Sequence, residues 1–148
     1  MKIYLSTAIT RGRREYVDAV SRIRDALKDT NVEVLNERVA DPNFPTSQTD
    51  RAQTMRELSG WLEEADALIA EATISSTGVG CELTSVQMQG KPVLLLYDAQ
   101  FGFRISDWVT LSPDTNVEAC PYRDQSEIER VVKEFIGRLS GAKSQATS

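Results

Sequence analysis

Glu82 closes the stretch Ser75-Ser76-Thr77-Gly78-Val79-Gly80-Cys81-Glu82, which follows an apolar run and leads into a helical pattern. Glycines such as Gly78 let backbone amides come close to a ligand, and a helix start carries partial positive charge. Ser75, Ser76 and the neighbouring amides could therefore hold an anion such as phosphate. Glu82 falls in the first turn of the expected helix, where the same dipole would hold it ionised. An ionised carboxylate repels phosphate. It suits attack on an electron-poor carbon, such as a sugar's anomeric centre as its leaving group departs. Anion and carboxylate coexist if they grip opposite ends of one sugar. The same spacing also fits an ordinary strand-to-helix turn, with Glu82 simply favourable at a helix start.

A second group lies in Ser6–Glu15, "STAITRGRRE", where Arg11, Arg13 and Arg14 surround Gly12 between a strand and a helix. Guanidinium groups and backbone amides there fit phosphate capture. A cluster of cations at a helix start is unfavourable without a nearby anion, although a solvated basic face has the same composition. Tyr4 reads as a core aromatic whose hydroxyl reaches the site if it faces the strand end. Cys81 stands at an expected helix start, but no histidine is available to work with its thiol.

The chain contains no histidine at all. Serine–histidine and cysteine–histidine nucleophiles are therefore excluded, and neither a zinc site nor any other cofactor is expected. Acid–base chemistry falls to carboxylates, tyrosines, lysines or the substrate itself. The 148 residues fit one domain, and a net charge of −5 without a basic run argues against a nucleic-acid polymer as partner. No apolar segment approaches the ~18 residues of a membrane span, and the start lacks a signal-peptide core. Cys81 and Cys120 suggest neither a disulfide framework nor metal spacing, so a reducing cytoplasm is the expected compartment.

These residues need elements to hold them. Lys2–Thr7 reads as a buried strand, and Val17, Val20, Ile23 and Leu27 recur at helical spacing. Val32–Leu35 alternates as a strand. Residues 40–50, with Pro42 and Pro45, read as a loop and possible lid. A helix is expected over Ala52–Glu64 with Met55, Leu58, Leu62 and Ala65 on one stripe, then the strand "ALIAEAT" and a loop over residues 75–82. "KPVLLLYD" is apolar enough to be a central strand, "ISDWVTL" a short helix, "NVEACPY" an edge strand, and Ile128–Leu139 an amphipathic closing helix. Residues 1–140 would then form the domain, and residues 141–148 a frayed, disordered tail. Strands alternating with helices imply a single-domain α/β, doubly wound (flavodoxin- or Rossmann-like) fold. It would be a five-stranded, mostly parallel sheet with helices on both faces, binding ligand at the carboxyl ends of the strands.

"IYLSTAITRGRRE", "WLEEADALIAEATISSTGVGCEL" and "GKPVLLLYDAQFGFRIS" together resemble the nucleoside 2-deoxyribosyltransferase superfamily, most closely its 2'-deoxynucleoside 5'-phosphate N-hydrolase branch. The most specific part is Ala65-Asp66, an apolar strand ending in Ala70-Glu71, then Ser76-x-Gly78-Val79-Gly80-x-Glu82-Leu83. The resemblance implies that Glu82 attacks the anomeric carbon and displaces the base, after which water releases the sugar phosphate. Tyr4 would position this carboxylate and Ser76 would bind the 5'-phosphate. Ser106, supplied by a neighbouring subunit, would bind it too, which implies a homodimer with composite sites. Thr7, Ala8, Ile9, Thr10, Arg11, Gly12 and Arg13 match the loop that wraps the nucleotide.

Three departures stand out. Where family members usually carry an aspartate eight residues before Asp66, this chain has Leu58, and the adjacent Glu57 substitutes for it only if the helix is rotated or bulged. Ala8 lacks a hydroxyl, with Arg11 standing in for the loop's arginine. Arg38 takes the place of a histidine near the base. The expected activity is hydrolysis of a nucleoside or deoxynucleoside 5'-monophosphate to base and sugar 5-phosphate. The alternatives are a nucleotide-binding protein without turnover and a deoxyribosyltransferase.

Overall fold

The computed structural model describes residues 1–8, 16–41, 48–74, 76–110 and 116–146. The run Ile3-Tyr4-Leu5 lies in β1 (Lys2–Thr7), and β2 (Glu33–Val34), β3 (Ala67–Glu71), β4 (Val93–Asp98) and β5 (Val117–Tyr122) join it in one sheet. The order is β2-β1-β3-β4-β5 and every neighbouring pair is parallel, as the alternation of strands and helices predicts. The chain steps from β1 to one side and then returns to build the other. The switch point, where open parallel sheets bind ligands, therefore lies between the carboxyl ends of β1 and β3. β4 is an interior strand but β3 is the middle one, fully buried along its length.

Side chains alternate across the sheet. Ile3, Leu5 and Ile69 pack with α1 (Val17–Lys28) and α6 (Gln125–Ala146), while Tyr4, Leu68 and Leu95 pack with α3 (Gln48–Glu64) and α4 (Thr77–Met88). Fully burying each such aliphatic side chain contributes about 1.5–3 kcal/mol. This alternation fixes which β1 side chains can meet α4: Tyr4 and, two residues on, Ser6.

Several local expectations are corrected. A short helix, α2 (Glu37–Ala40), ends at the first residue of the expected loop, and α3 already begins at Gln48. Residues 42–47 lie outside the described residues. On α3 the inward stripe runs through Thr54, Leu58, Leu62 and Ala65, while Met55 is 59% exposed. Helical geometry lets position 54 continue the Leu58–Leu62 row toward the helix start, and a buried threonine there escapes a reading by hydrophobicity. α6 continues to Ala146 where a tail was expected, because Ala142, Gln145 and Ala146 are good helix formers and Gly141 alone does not stop a long helix.

β2 ends at Val34, which leaves the next part of β1 without a strand neighbour on the side away from β3. Asn36, itself buried, fills that gap. Leu5 N–H donates to Asn36 Oδ1 at 2.9 Å, and Asn36 Nδ2 donates to the Leu5 carbonyl at 2.8 Å. One side-chain amide thus stands in for a strand beside the residue that precedes Ser6.

Candidate active site

The site is assembled where β1 ends against α4. The Ser6 hydroxyl donates to Glu82 Oε2 at 2.5 Å, and the Tyr4 phenol, on the same face of β1, is close enough to the Glu82 carboxylate to favour its ionised form. Tyr4 and Ser6 are both buried, and Glu82 is half-buried. Two strand residues two apart, on one face, therefore hold the carboxylate of a helix residue. Ser6 is a residue that the sequence analysis missed. The signal was available: if Tyr4 faces the site, strand periodicity places Ser6 on the same face and nearer the strand end.

The electrostatics differ from the sequence expectation. α4 begins at Thr77, so Glu82 lies in its second turn and no acidic residue lies in its first. The helix dipole falls off within the first turn and does not hold Glu82 ionised. Burial instead pushes the Glu82 carboxyl above the usual carboxylate range, opposed by the hydrogen bonds from Ser6 and then Tyr4. Burial, together with the nearby Glu82 charge, pushes the Tyr4 phenol far up, so Tyr4 stays a proton donor at any ordinary pH. A desolvated carboxylate kept in place by two hydroxyls is more basic and more nucleophilic than one in water.

Most of the expected 75–82 loop is the first turns of α4, with Ser76 as N-cap: its Oγ accepts from Val79 N–H at 3.5 Å. A capping serine sets the boundary more strongly than the glycines after it. Ser76 can still donate its own hydroxyl proton. Gly78 and Gly80 are exposed on this helix start, and a Cβ on Gly80 would meet nothing within 4 Å. The protein's own packing does not require a glycine at Gly80.

Thr7 ends β1 in register with Glu71, on the opposite side of the sheet from Ser6. Ala8 packs against the cluster that contains Tyr4. Ile9, Thr10, Arg11, Gly12 and Arg13, with Ser75, lie outside the described residues. Ser106 is exposed, and its carbonyl accepts from Val109 N–H at 2.9 Å at the start of α5 (Asp107–Thr110).

Leu58 faces inward, packed against the cluster that holds Tyr4, so α3 is not rotated to bring Glu57 in. The hydrogen bonds of Glu57 go instead to Arg38 at 2.7 Å and Gln53 at 3.0 Å, and these partners hold its carboxyl below the usual range. Glu57, the candidate substitute for the missing aspartate, is thus paired with Arg38, itself a departure from the family pattern. Asp66, another part of that pattern, accepts from Lys2 N–H at 2.7 Å, at the far end of the sheet from Glu82. Its role is to join β1 to the chain entering β3. Among the described residues no cluster of three or more His, Cys, Asp or Glu side chains is placed to hold a metal ion.

A doubly wound parallel sheet thus presents a half-buried carboxylate at its switch point, beside a capped helix start. No family model matches the chain. A protein of Methanosarcina mazei, provisionally named 2'-deoxynucleoside 5'-phosphate N-hydrolase 1, is 37% identical over 140 residues, covering 93% of this chain and 84% of the relative. The 5-hydroxymethyl-dUMP N-hydrolase of Rattus norvegicus is 30% identical over 154 residues, covering 99% and 91%. The chain belongs to the 2'-deoxynucleoside 5'-phosphate N-hydrolase family. Among solved structures, the fold is shared with the CMP N-glycosidase of Clostridium botulinum, with a TM-score of 0.65 and 16% identity, covering 91% of this chain and 99% of that one. It is also shared with a 2-deoxyribosyltransferase of Bacillus psychrosaccharolyticus, with a TM-score of 0.60 and 22% identity, covering 87% and 90%.

Proposed function

We propose that the chain hydrolyses the N-glycosidic bond of a nucleoside or 2'-deoxynucleoside 5'-monophosphate, releasing a free base and the sugar 5-phosphate. The observation that carries this reading is the Glu82 carboxylate, desolvated and held by Ser6 and Tyr4 at the switch point. A Glu82 oxygen bonds to C1' as the C1'–N bond breaks and its electrons leave with the base, which takes up a proton from solvent. Water then attacks C1', the C1'–O bond to Glu82 breaks, and a proton passes from the water to solvent. Ser76, the amides at the start of α4 and the 7–13 loop with Arg11 and Arg13 bind the 5'-phosphate, and Ser106 of a neighbouring subunit completes that contact. Anchoring the phosphate sets the distance from Glu82 to C1'.

A homodimer would supply Ser106 to the neighbouring site and could cover the exposed Met55 and Met88 side chains of α3 and α4. Sedimentation at micromolar concentration tests it: a monomer would remove Ser106 from the site. A cytoplasmic location fits the two free cysteines, and no helix among the described residues is long and apolar enough to cross a membrane.

The functional test is chromatographic. Wild-type protein incubated with a panel of nucleoside and deoxynucleoside 5'-monophosphates releases base from at least one, and Glu82→Gln binds that nucleotide without releasing base. A second reading, nucleotide binding without turnover, is favoured by Leu58 facing inward while Glu57 is engaged by Arg38. Binding without release for every nucleotide would establish it. Transfer of the sugar to an added second base would identify a deoxyribosyltransferase.

A further inference from the structure

Glu71, at the end of β3, is a buried carboxylate, 1% exposed, and the proposed chemistry does not use it. It ends β3 on the face that packs against α1 and α6, opposite to the face where Ser6 meets Glu82. Among the described residues its hydrogen bonds converge on one oxygen. Glu71 Oε1 accepts from Tyr122 Oη at 2.9 Å, from Thr73 N–H at 3.4 Å and from the Thr73 hydroxyl. Thr73 Oγ1 in turn accepts from Asp98 N–H at 2.8 Å. Glu71, Thr73, Asp98 and Tyr122 thus tie together the carboxyl ends of β3, β4 and β5.

Burying a carboxyl here is costly: it pushes the group's pKa above the usual range, against the hydrogen bonds from Thr73 and Tyr122. An apolar residue would fill the same volume without that cost. What an apolar residue cannot do is bend the chain after β3 and fix Thr73 within it. Thr73 is fully buried and leads directly to the cap Ser76 and to α4. A shift of this connector moves the helix that carries Glu82 relative to Ser6, which belongs to a different strand.

We propose that Glu71 is a positioning residue for the Glu82 site: through Thr73 it sets where α4 begins and so aligns Glu82 with Ser6 and Tyr4. The inference deepens the hydrolase reading and rests on it for its kinetic consequence only. Glu71→Leu removes the acceptor at nearly constant volume, and Glu71→Gln keeps an acceptor oxygen. Amide hydrogen exchange reads the alignment directly. Val79 and Gly80 N–H, which donate to the Ser76 hydroxyl and carbonyl, exchange at least ~10-fold faster in Glu71→Leu, while α1 and α6 amides are unchanged. On a hydrolysed nucleotide kcat falls by ~10–100-fold with KM changed less. Glu71→Gln recovers most of both losses.

If Glu71→Leu does not fold, Tyr122→Phe, which deletes a single donor to Oε1, carries the same measurements with smaller effects. Unchanged exchange at Val79 and Gly80 in a folded variant overturns the proposal. So does a uniform acceleration across α1, α4 and α6, which would mean a purely structural carboxyl. If the wild-type protein releases base from no nucleotide, the hydrolase reading fails and the exchange measurement alone still decides the role of Glu71.

Discussion

The Ser6 hydroxyl lies 2.5 Å from Glu82 Oε2, joining the end of the first strand to the second turn of a helix 76 residues later in the chain. This contact opposes the effect of burial on the candidate nucleophile's charge. Burial favours the protonated acid, whereas hydrogen bonds from Ser6 and Tyr4 favour the carboxylate.

Ser6→Ala removes the larger of those two opposing interactions, so the Glu82 pKa rises further. Attack needs the ionised form, and the acidic limb of the kcat/KM profile for nucleotide hydrolysis therefore moves to higher pH. Tyr4→Phe moves it the same way by less. Rate–pH profiles of the three proteins check this, and a limb that stays in place in Ser6→Ala would remove Ser6 from control of Glu82.

The same burial makes Glu82 a liability for folding. Its folded-state pKa lies above its unfolded value, so the native state holds the proton more tightly. As pH rises from the unfolded value through the folded one, stability is lost, and the full cost is present above the folded value. Glu82→Gln removes the charge and is expected to raise the neutral-pH Tm by a few degrees while abolishing base release. The difference should vanish at acidic pH, where wild-type Glu82 is protonated. Thermal melts at neutral and acidic pH check both directions, and a variant less stable than wild type at neutral pH would contradict them.

Much of this site was legible in the sequence because strand and helix periodicities are local. The parallel alternating fold, Tyr4 on β1 and Glu82 beyond β3 all follow from spacing and pattern. The helix boundary was not legible, since glycines suggest a loop where Ser76 starts a helix by capping it. That misplacement assigned Glu82 to a dipole it does not feel. Ser6, Asn36 and the Glu71 cluster escaped because each acts through contacts between residues distant in the chain. Polar residues buried by such contacts carry no hydrophobic signature. Glu57 shows the converse: adjacency to Leu58 suggested a role, but its side chain is held by Arg38 and Gln53.

Gly80 offers a case in which stability and activity separate. It is helical, exposed, and has open space where a Cβ would stand. Gly80→Ala is therefore expected to stabilise the protein by about 0.5–1 kcal/mol through helix propensity. If a nucleotide lies against the start of α4, the added methyl group obstructs it, and KM for the monophosphate rises by ~10-fold or more. Chemical denaturation and steady-state kinetics on one protein preparation read both effects. A stabilised variant with unchanged KM would show that substrate does not approach this turn.

Asn36 tests the frame beneath the site. Its amide satisfies both the N–H and the carbonyl of Leu5, at a point where β2 no longer runs alongside β1. Asn36→Ala leaves two buried backbone groups without partners, each costing about 1–3 kcal/mol unless water enters. Asn36→Asp is the more informative change, since it keeps the acceptor for Leu5 N–H but sets a carboxylate oxygen against the Leu5 carbonyl. It is expected to be at least as destabilising as alanine at neutral pH and to recover as the acid is protonated. Because Leu5 precedes Ser6, residual activity in either variant should fall more steeply than the folded fraction does. Equal loss of activity and folded protein across a denaturant series would instead confine Asn36 to stability and uncouple this edge of the sheet from Glu82.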